Sequence, residues 1–110
     1  MVSVSEAWKA WKAWQEGFAN KDSNRLAEFL TDDFQFVPKL GTKNRQETLD
    51  WTAAGGNPTS IDDLEVLYEN DEVAVIYHSA NRPNSDGVVM ALYTKRGDKF
   101  SHCRTVRQEV

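Results

Sequence analysis

Between Ser3 and Val37 the chain reads SVSEAWKAWKAWQEGFANKDSNRLAEFLTDDFQFV, and this stretch narrows the folds open to everything after it. At about 100° per residue, Ala7, Trp11, Trp14 and Phe18 fall within one stripe of a helix, with Trp8 and Gln15 on its flanks. Lys9, Lys12, Glu16 and Asn20 fill the opposite face. The WKAWKAW repeat does not stack its tryptophans, because each three-residue step slips by about 60°. Trp11 and Trp14 therefore point to a core or a ligand cavity, and Trp8 lies at the edge. The polar face mixes charges, which disfavours a membrane-surface helix. Ser3 and Glu6 stand at capping-box spacing and predict the helix start.

Asn20-Lys21-Asp22-Ser23 ends this helix and caps a second one, with Asp22 or Ser23 as N-cap. The second helix is expected over about Asn24 to Leu30, burying Leu26, Phe29 and Leu30. Thr31-Asp32-Asp33 reads as a turn with solvated carboxylates, and Phe34-Gln35-Phe36 opens a strand. Pro38 and Gly41 punctuate a loop. Asn44 and Glu47 repeat the capping-box spacing and start a third helix, about Arg45 to Ala54, that stops at Gly55-Gly56. Leu49, Thr52 and Ala53 share one face of it, while Trp51 projects elsewhere, under a loop, over a cavity mouth or into a subunit contact.

From Thr59 the pattern is strand upon strand. Leu64, Val66 and Tyr68 alternate with acids, which predicts a half-buried strand. Val73 to Ala80 and Val88 to Thr94 are apolar on both faces, so each is a central strand or is covered on one side by another subunit. That pattern predicts a homodimer through the sheet face. Asn81 to Gly87 is a loop, and Lys95-Arg96-Gly97-Asp98 turns into a last strand, Lys99 to Val106. Three helices, one early strand and four later antiparallel strands make an α+β order, in which a strongly bent sheet encloses the first helix and leaves a cavity between them.

Composition excludes several classes. At 110 residues with 40% hydrophobic and 27% charged residues, the chain is expected to form a single domain over residues 1–110 with its own core. A net charge of −4 argues against a nucleic-acid partner. No apolar run is long enough to cross a bilayer. The start lacks a basic segment followed by an apolar one, so no secretory signal is expected. With a single cysteine there is no internal disulfide, and a reducing, cytoplasmic setting follows. Two histidines and that cysteine stand at no ligand spacing, so no metal and no cofactor are expected. Charge is uneven: Asp62 to Glu72 holds six acids and no cation, and Lys95 to Arg107 holds five cations and one acid.

The aromatic first helix, the GFANKDSNRLAEFLTDDFQF passage and the closing GDKFSHCRTV strand resemble the NTF2-like superfamily, which includes SnoaL-like polyketide cyclases, ketosteroid isomerases and scytalone dehydratase. The resemblance spans nearly the whole chain. It implies a cone of three N-terminal helices packed in a strongly curved, mostly antiparallel sheet. It also implies positions for ketosteroid-isomerase chemistry, which this chain leaves empty. Trp14 stands where those enzymes carry a tyrosine, Pro38 where they carry the aspartate base, and Ala91 near their second oxyanion donor. Without a base or an oxyanion hole that reaction is not expected.

The remaining candidates lie on later strands. In a regular last strand Phe100, His102, Arg104 and Val106 share a face, which sets an imidazole and a guanidinium among apolar neighbours. A β-bulge would exchange them for Ser101, Cys103 and Thr105. His102 and His78 are the candidate acid/base residues, and Tyr93 and Tyr68 offer hydroxyls. Cys103 is not expected to act as a nucleophile. The expected function is binding of a small apolar, carbonyl or anionic ligand in a cavity lined by Trp11, Trp14, Phe34, Phe36, Tyr93, His102 and Arg104. A polyketide-cyclase-like or dehydratase-like enzyme using His102 or His78, and a dimerisation module with a filled cavity, are the alternatives.

Overall fold

A computed structural model describes residues 5–56 and 58–110. Helix α1, Glu6–Asn20, buries Ala7, Ala10, Trp11, Ala13, Trp14, Gly17 and Phe18, the stripe that its periodicity predicts. Its N-cap is Ser5, whose hydroxyl oxygen accepts the Trp8 N–H at 3.0 Å; the expected cap Ser3 lies outside the described residues. The carboxylate of Glu69, far along the chain, accepts from the Ser5 hydroxyl and from the Ala7 N–H. It thereby satisfies helix-end donors that the helix itself cannot. Lys21 ends α1 in the left-handed region at φ 53°.

Helix α2 is one turn, Asn24–Ala27, shorter than the sequence predicts because the chain is already extended at Leu30. Strand β1, Leu30–Val37, takes in Thr31-Asp32-Asp33, which is therefore not a turn. Asp33 accepts from the Thr31 hydroxyl at 2.8 Å and pairs with Arg96 at 2.8 Å. The two-residue strand β2, Lys43–Asn44, leads directly into α3, Arg45–Ala53. The Asn44–Glu47 capping box forms as its spacing predicts. Thr48 and Thr52 are fully buried on α3, and each hydroxyl donates to the carbonyl four residues back, so neither is left unsatisfied. At Gly56, φ is +69° and an added Cβ would stand 2.6 Å from the Phe18 ring; only glycine fits there.

Strands β3, Ser60–Glu69, β4, Val73–Asn81, β5, Gly87–Arg96, and β6, Lys99–Glu109, complete a curved six-stranded sheet in the order β2-β1-β6-β5-β4-β3. Among the described residues only the β1–β6 pairing is parallel. The helices and the inner face of the sheet close on a core of Trp11, Trp14, Phe18, Leu26, Leu30, Phe34, Ile76 and Phe100. Val66 and Tyr68 are exposed, against the expectation of a half-buried strand. Two register shifts interrupt the pairing of β3 with β4, and Asp63, at φ 57°, lies within the first of them; irregularities of this kind bend an edge strand.

Candidate functional site

Between α1 and the sheet lies a cavity of about 240 Å³. Trp11, Trp14 and Phe18 of α1 form one wall, and Trp51 of α3 closes an end. The rings lock one another. Trp51 meets Phe18 edge-on at 5.1 Å and Phe36 at 5.4 Å, and Trp14 meets Phe36 at 5.6 Å. Offset and edge-on pairs of this kind are the favoured aromatic geometries.

Register explains the opposite wall. Residues directly paired across strands share a face. Three inward rows therefore cross β4, β5 and β6: Ala74–Tyr93–Cys103, Ile76–Ala91–Thr105 and His78–Val89–Arg107. Ala91 and Thr105, the small members of the middle row, line the space. Tyr93 bounds it on one side, and His78 and Arg107 on the other.

The Ser101 bulge decides which side chains of β6 face inward. Thr94 pairs with His102, but Lys95 pairs with Phe100, so Ser101 is an extra residue. Phe100 and Ser101 are both buried, and the alternation after them is reversed. His102 and Arg104, expected on the cavity wall, are exposed on the outer face; Cys103, Thr105 and Arg107 line the cavity in their place. Trp11, Trp14, Phe36, Tyr93 and His78 line it as well, whereas Phe34 is buried behind Trp14 at 6.5 Å. Tyr68 is exposed. Trp14, Pro38 and Ala91 all line the cavity.

His78 is 7% exposed, and its Nδ1 lies 2.8 Å from Ser79 O. A carbonyl only accepts, so Nδ1 carries the proton and Nε2 is the lone-pair nitrogen. Burial lowers the imidazole below its ordinary value, against the smaller opposing effect of the Ser79 bond. The ring is neutral at pH 7. Its ring and that of Trp11 meet in a T-shaped arrangement with centres 5.7 Å apart. Burial and the nearby Cys103 raise the Tyr93 phenol well above its usual range. Burial pushes the Cys103 thiol to about 12 even though Tyr93 opposes it. Tyr93 is thus a hydrogen-bond donor here, and Cys103 is an inert thiol.

Cations that sequence reasoning missed stand around the rim. The Arg107 side chain donates from Nη2 to Ala80 O at 3.2 Å, Ser85 O at 3.0 Å and Ser85 Oγ at 3.2 Å. It lies over Gly87, where any Cβ would come within 2.6 Å of the guanidinium carbon. Lys43 Nζ sits 5.3 Å from the Trp51 ring centre, and Arg82 lies on the exposed edge. Among the described residues, no group of His, Cys, Asp and Glu is placed to hold a metal ion.

No family model and no curated protein matches the sequence. Solved structures do match. An NTF2-like protein from Anabaena variabilis aligns at 17% identity and TM-score 0.72 over 98% of this chain and 94% of its own. A hexachlorocyclohexane dehydrochlorinase from Novosphingobium barchaimii aligns at 16% identity and TM-score 0.64, over 96% and 88%. A hypothetical protein of ketosteroid-isomerase-like fold from Catenulispora acidiphila, in complex with trimethylamine, aligns at 13% identity and TM-score 0.65, over 88% and 83%. At these identities the likeness speaks for architecture, and it agrees with the element order and the curved mixed sheet: this chain has the NTF2-like fold.

Proposed function

We propose that this protein binds a small molecule in the cavity between α1 and the sheet. The observation that carries this reading is the cavity itself, about 240 Å³ in volume and walled by Trp11, Trp14, Phe36, Trp51 and Tyr93. A dry apolar cavity of about 150 Å³ already takes one benzene ring, so this one admits a ring with a substituent. Small-molecule sites are characteristically apolar concavities with a few convergent polar groups, and His78, Tyr93 and Arg107 supply those groups. The neighbour in complex with trimethylamine is in keeping with a small ligand. Native mass spectrometry of freshly purified protein is expected to show a retained small molecule that Ala91→Phe, which fills the floor, displaces. A protein that emerges empty, and for which a fragment screen yields no ligand sensitive to Ala91→Phe, would sink the reading.

A second reading has its own support in His78. A neutral imidazole with a fixed tautomer and an inward-facing ring is suited to general-base work, which fits an isomerase-like or dehydratase-like enzyme. His102, the other candidate, stands on the outer face and plays no part in it. Deuterium exchange at the carbon α to the carbonyl of an added cyclic ketone, followed by NMR, tests this. Exchange that persists unchanged in His78→Gln excludes the role.

The same proposal includes a homodimer formed by the outer sheet face, a cytoplasmic setting suited to the lone buried thiol, and one domain spanning residues 1–110.

A further inference from the structure

Among the described residues, five buried side-chain polar atoms lack a hydrogen-bond partner: Nε1 of Trp11, Trp14 and Trp51, and Nε of Arg45 and Arg107. All five are donors. Four belong to side chains that line the cavity. A buried donor without an acceptor costs about 1–3 kcal/mol, so the walls of this cavity carry donors that the protein itself leaves unanswered.

Charge points the same way. Lys43, Arg82 and Arg107 line the cavity, and among its described lining residues there is no Asp or Glu. The Arg107 side chain is 20% exposed, and its close partners are two carbonyls and a hydroxyl. Its acidic neighbour, Glu109, is 4.0 Å away and 76% exposed, so water screens that pair. A guanidinium withdrawn from solvent and facing neutral oxygens has most of its charge unanswered. Lys43 and Arg82 form no ion pair among the described residues. The chain as a whole carries a net −4, so a cationic cavity rim is a local arrangement that the composition does not produce.

We infer that the ligand is an organic anion, a single-ring apolar body bearing a carboxylate, with the ring between Trp11, Trp14 and Ala91 and the carboxylate at Arg107 and Arg82. This inference rests on the small-molecule reading above and adds the ligand's charge to it. Ala91 and Thr105 of the middle row give the ring its floor. The adjoining row ends in Arg107, and Arg82 belongs to the turn whose Ser85 accepts from Arg107. Planar guanidinium groups match a carboxylate with two parallel hydrogen bonds.

Three probes of the same shape separate the possibilities: 3-phenylpropanoate, its neutral amide and 3-phenylpropan-1-amine. Each is titrated into the full chain and followed by ligand-observed NMR and by tryptophan fluorescence, since Trp11, Trp14 and Trp51 line the cavity. The carboxylate is expected to bind at least tenfold tighter than the amide, with the amine weakest. Its advantage should shrink several-fold at high salt and fall to near parity in Arg82→Gln. Because Arg107 also holds the Arg82–Ser85 turn, Arg107→Gln counts only if it melts like the wild type. Arg82→Gln and Lys43→Met, at less buried positions, carry the test otherwise. Equal binding of the three probes, or preference for the amine, overturns the anion inference and leaves a ligand cavity standing. Binding of none overturns the anion inference, and the mass-spectrometry and fragment tests above then decide whether the cavity binds at all.

Discussion

At the scale of the residue, His78 holds two opposing demands. Its position on the inner face of β4 takes it out of water, which disfavours the charged ring, while the Ser79 carbonyl favours a proton on Nδ1. Burial wins, so the folded protein binds a proton less readily than the unfolded chain. Stability from this group is complete above its ordinary value of 6.5 and is lost as the pH falls from there toward the lowered folded value. Melting followed from about pH 7.5 to about pH 5.5 should show that loss in the wild type, above the range in which ordinary carboxylates titrate. The slope should flatten in His78→Gln, which does not titrate. An equal slope in the two proteins would mean that His78 titrates in the fold as it does in water. The sequence is apolar on both faces of β4 and so does not say which way His78 points; the regular burial alternation that turns it inward is seen in the fold, and its tautomer depends on a carbonyl geometry that no residue pattern encodes.

At the scale of the element, what could be read depended on how local its cause is. The α1 stripe and the Asn44–Glu47 cap are set by residues three or four positions apart, and both form where the sequence puts them. The inward residues of β6 are set by Ser101, whose extra place in the strand exists only relative to β5. One such residue moved His102 and Arg104 out of the site and brought Arg107 in. The packing of the Arg107 guanidinium over Gly87 is visible only once β5 and β6 lie side by side. Glu69 is a further long-range device. It ends β3, accepts from Ser5 and Ala7 at the start of α1, and pairs with Lys95 of β5 at 2.7 Å. Burial acts to raise its carboxyl, but the Lys95, Ser5 and Ala7 bonds outweigh this and hold it below the ordinary value of 4.5. Its stabilisation is therefore full above that value and is lost as the pH falls through the lowered one. Glu69→Gln should cost about 2 kcal/mol at neutral pH by urea unfolding, since charge-assisted bonds contribute about 1.5–3 kcal/mol each. The cost should shrink in acid, where the wild-type carboxyl is itself protonated. A cost that is the same at both pH values would mean that shape at the end of β3, and not charge, secures the helix.

At the scale of the whole molecule, the helices cover only one side of the sheet. Outward rows across β4, β5 and β6 read Tyr77–Met90–Val106 and Val75–Leu92–Arg104. Met90 is 48% exposed, Leu92 41% and Val106 68%. Large side chains contiguous across three strands differ from the scattered exposed apolar residues of ordinary surfaces, and such patches mark contacts with another molecule. A second copy of this chain is the occupant proposed, because the patch lies opposite the cavity and includes the two central strands that are apolar on both faces. His102 and Arg104 then find a use as polar members of the interface. A stable contact of this kind buries upward of about 1,000 Å² in total, so one central charge should be enough to disrupt it. Light scattering at micromolar concentration is expected to give twice the chain mass for the wild type and the single-chain mass for Met90→Lys. Ligand binding in the cavity should survive the substitution, since Met90 points away from it. A wild type that shows only the monomer mass would leave the outer face without its proposed partner. A Met90→Lys protein that stayed dimeric would place the contact elsewhere on the molecule.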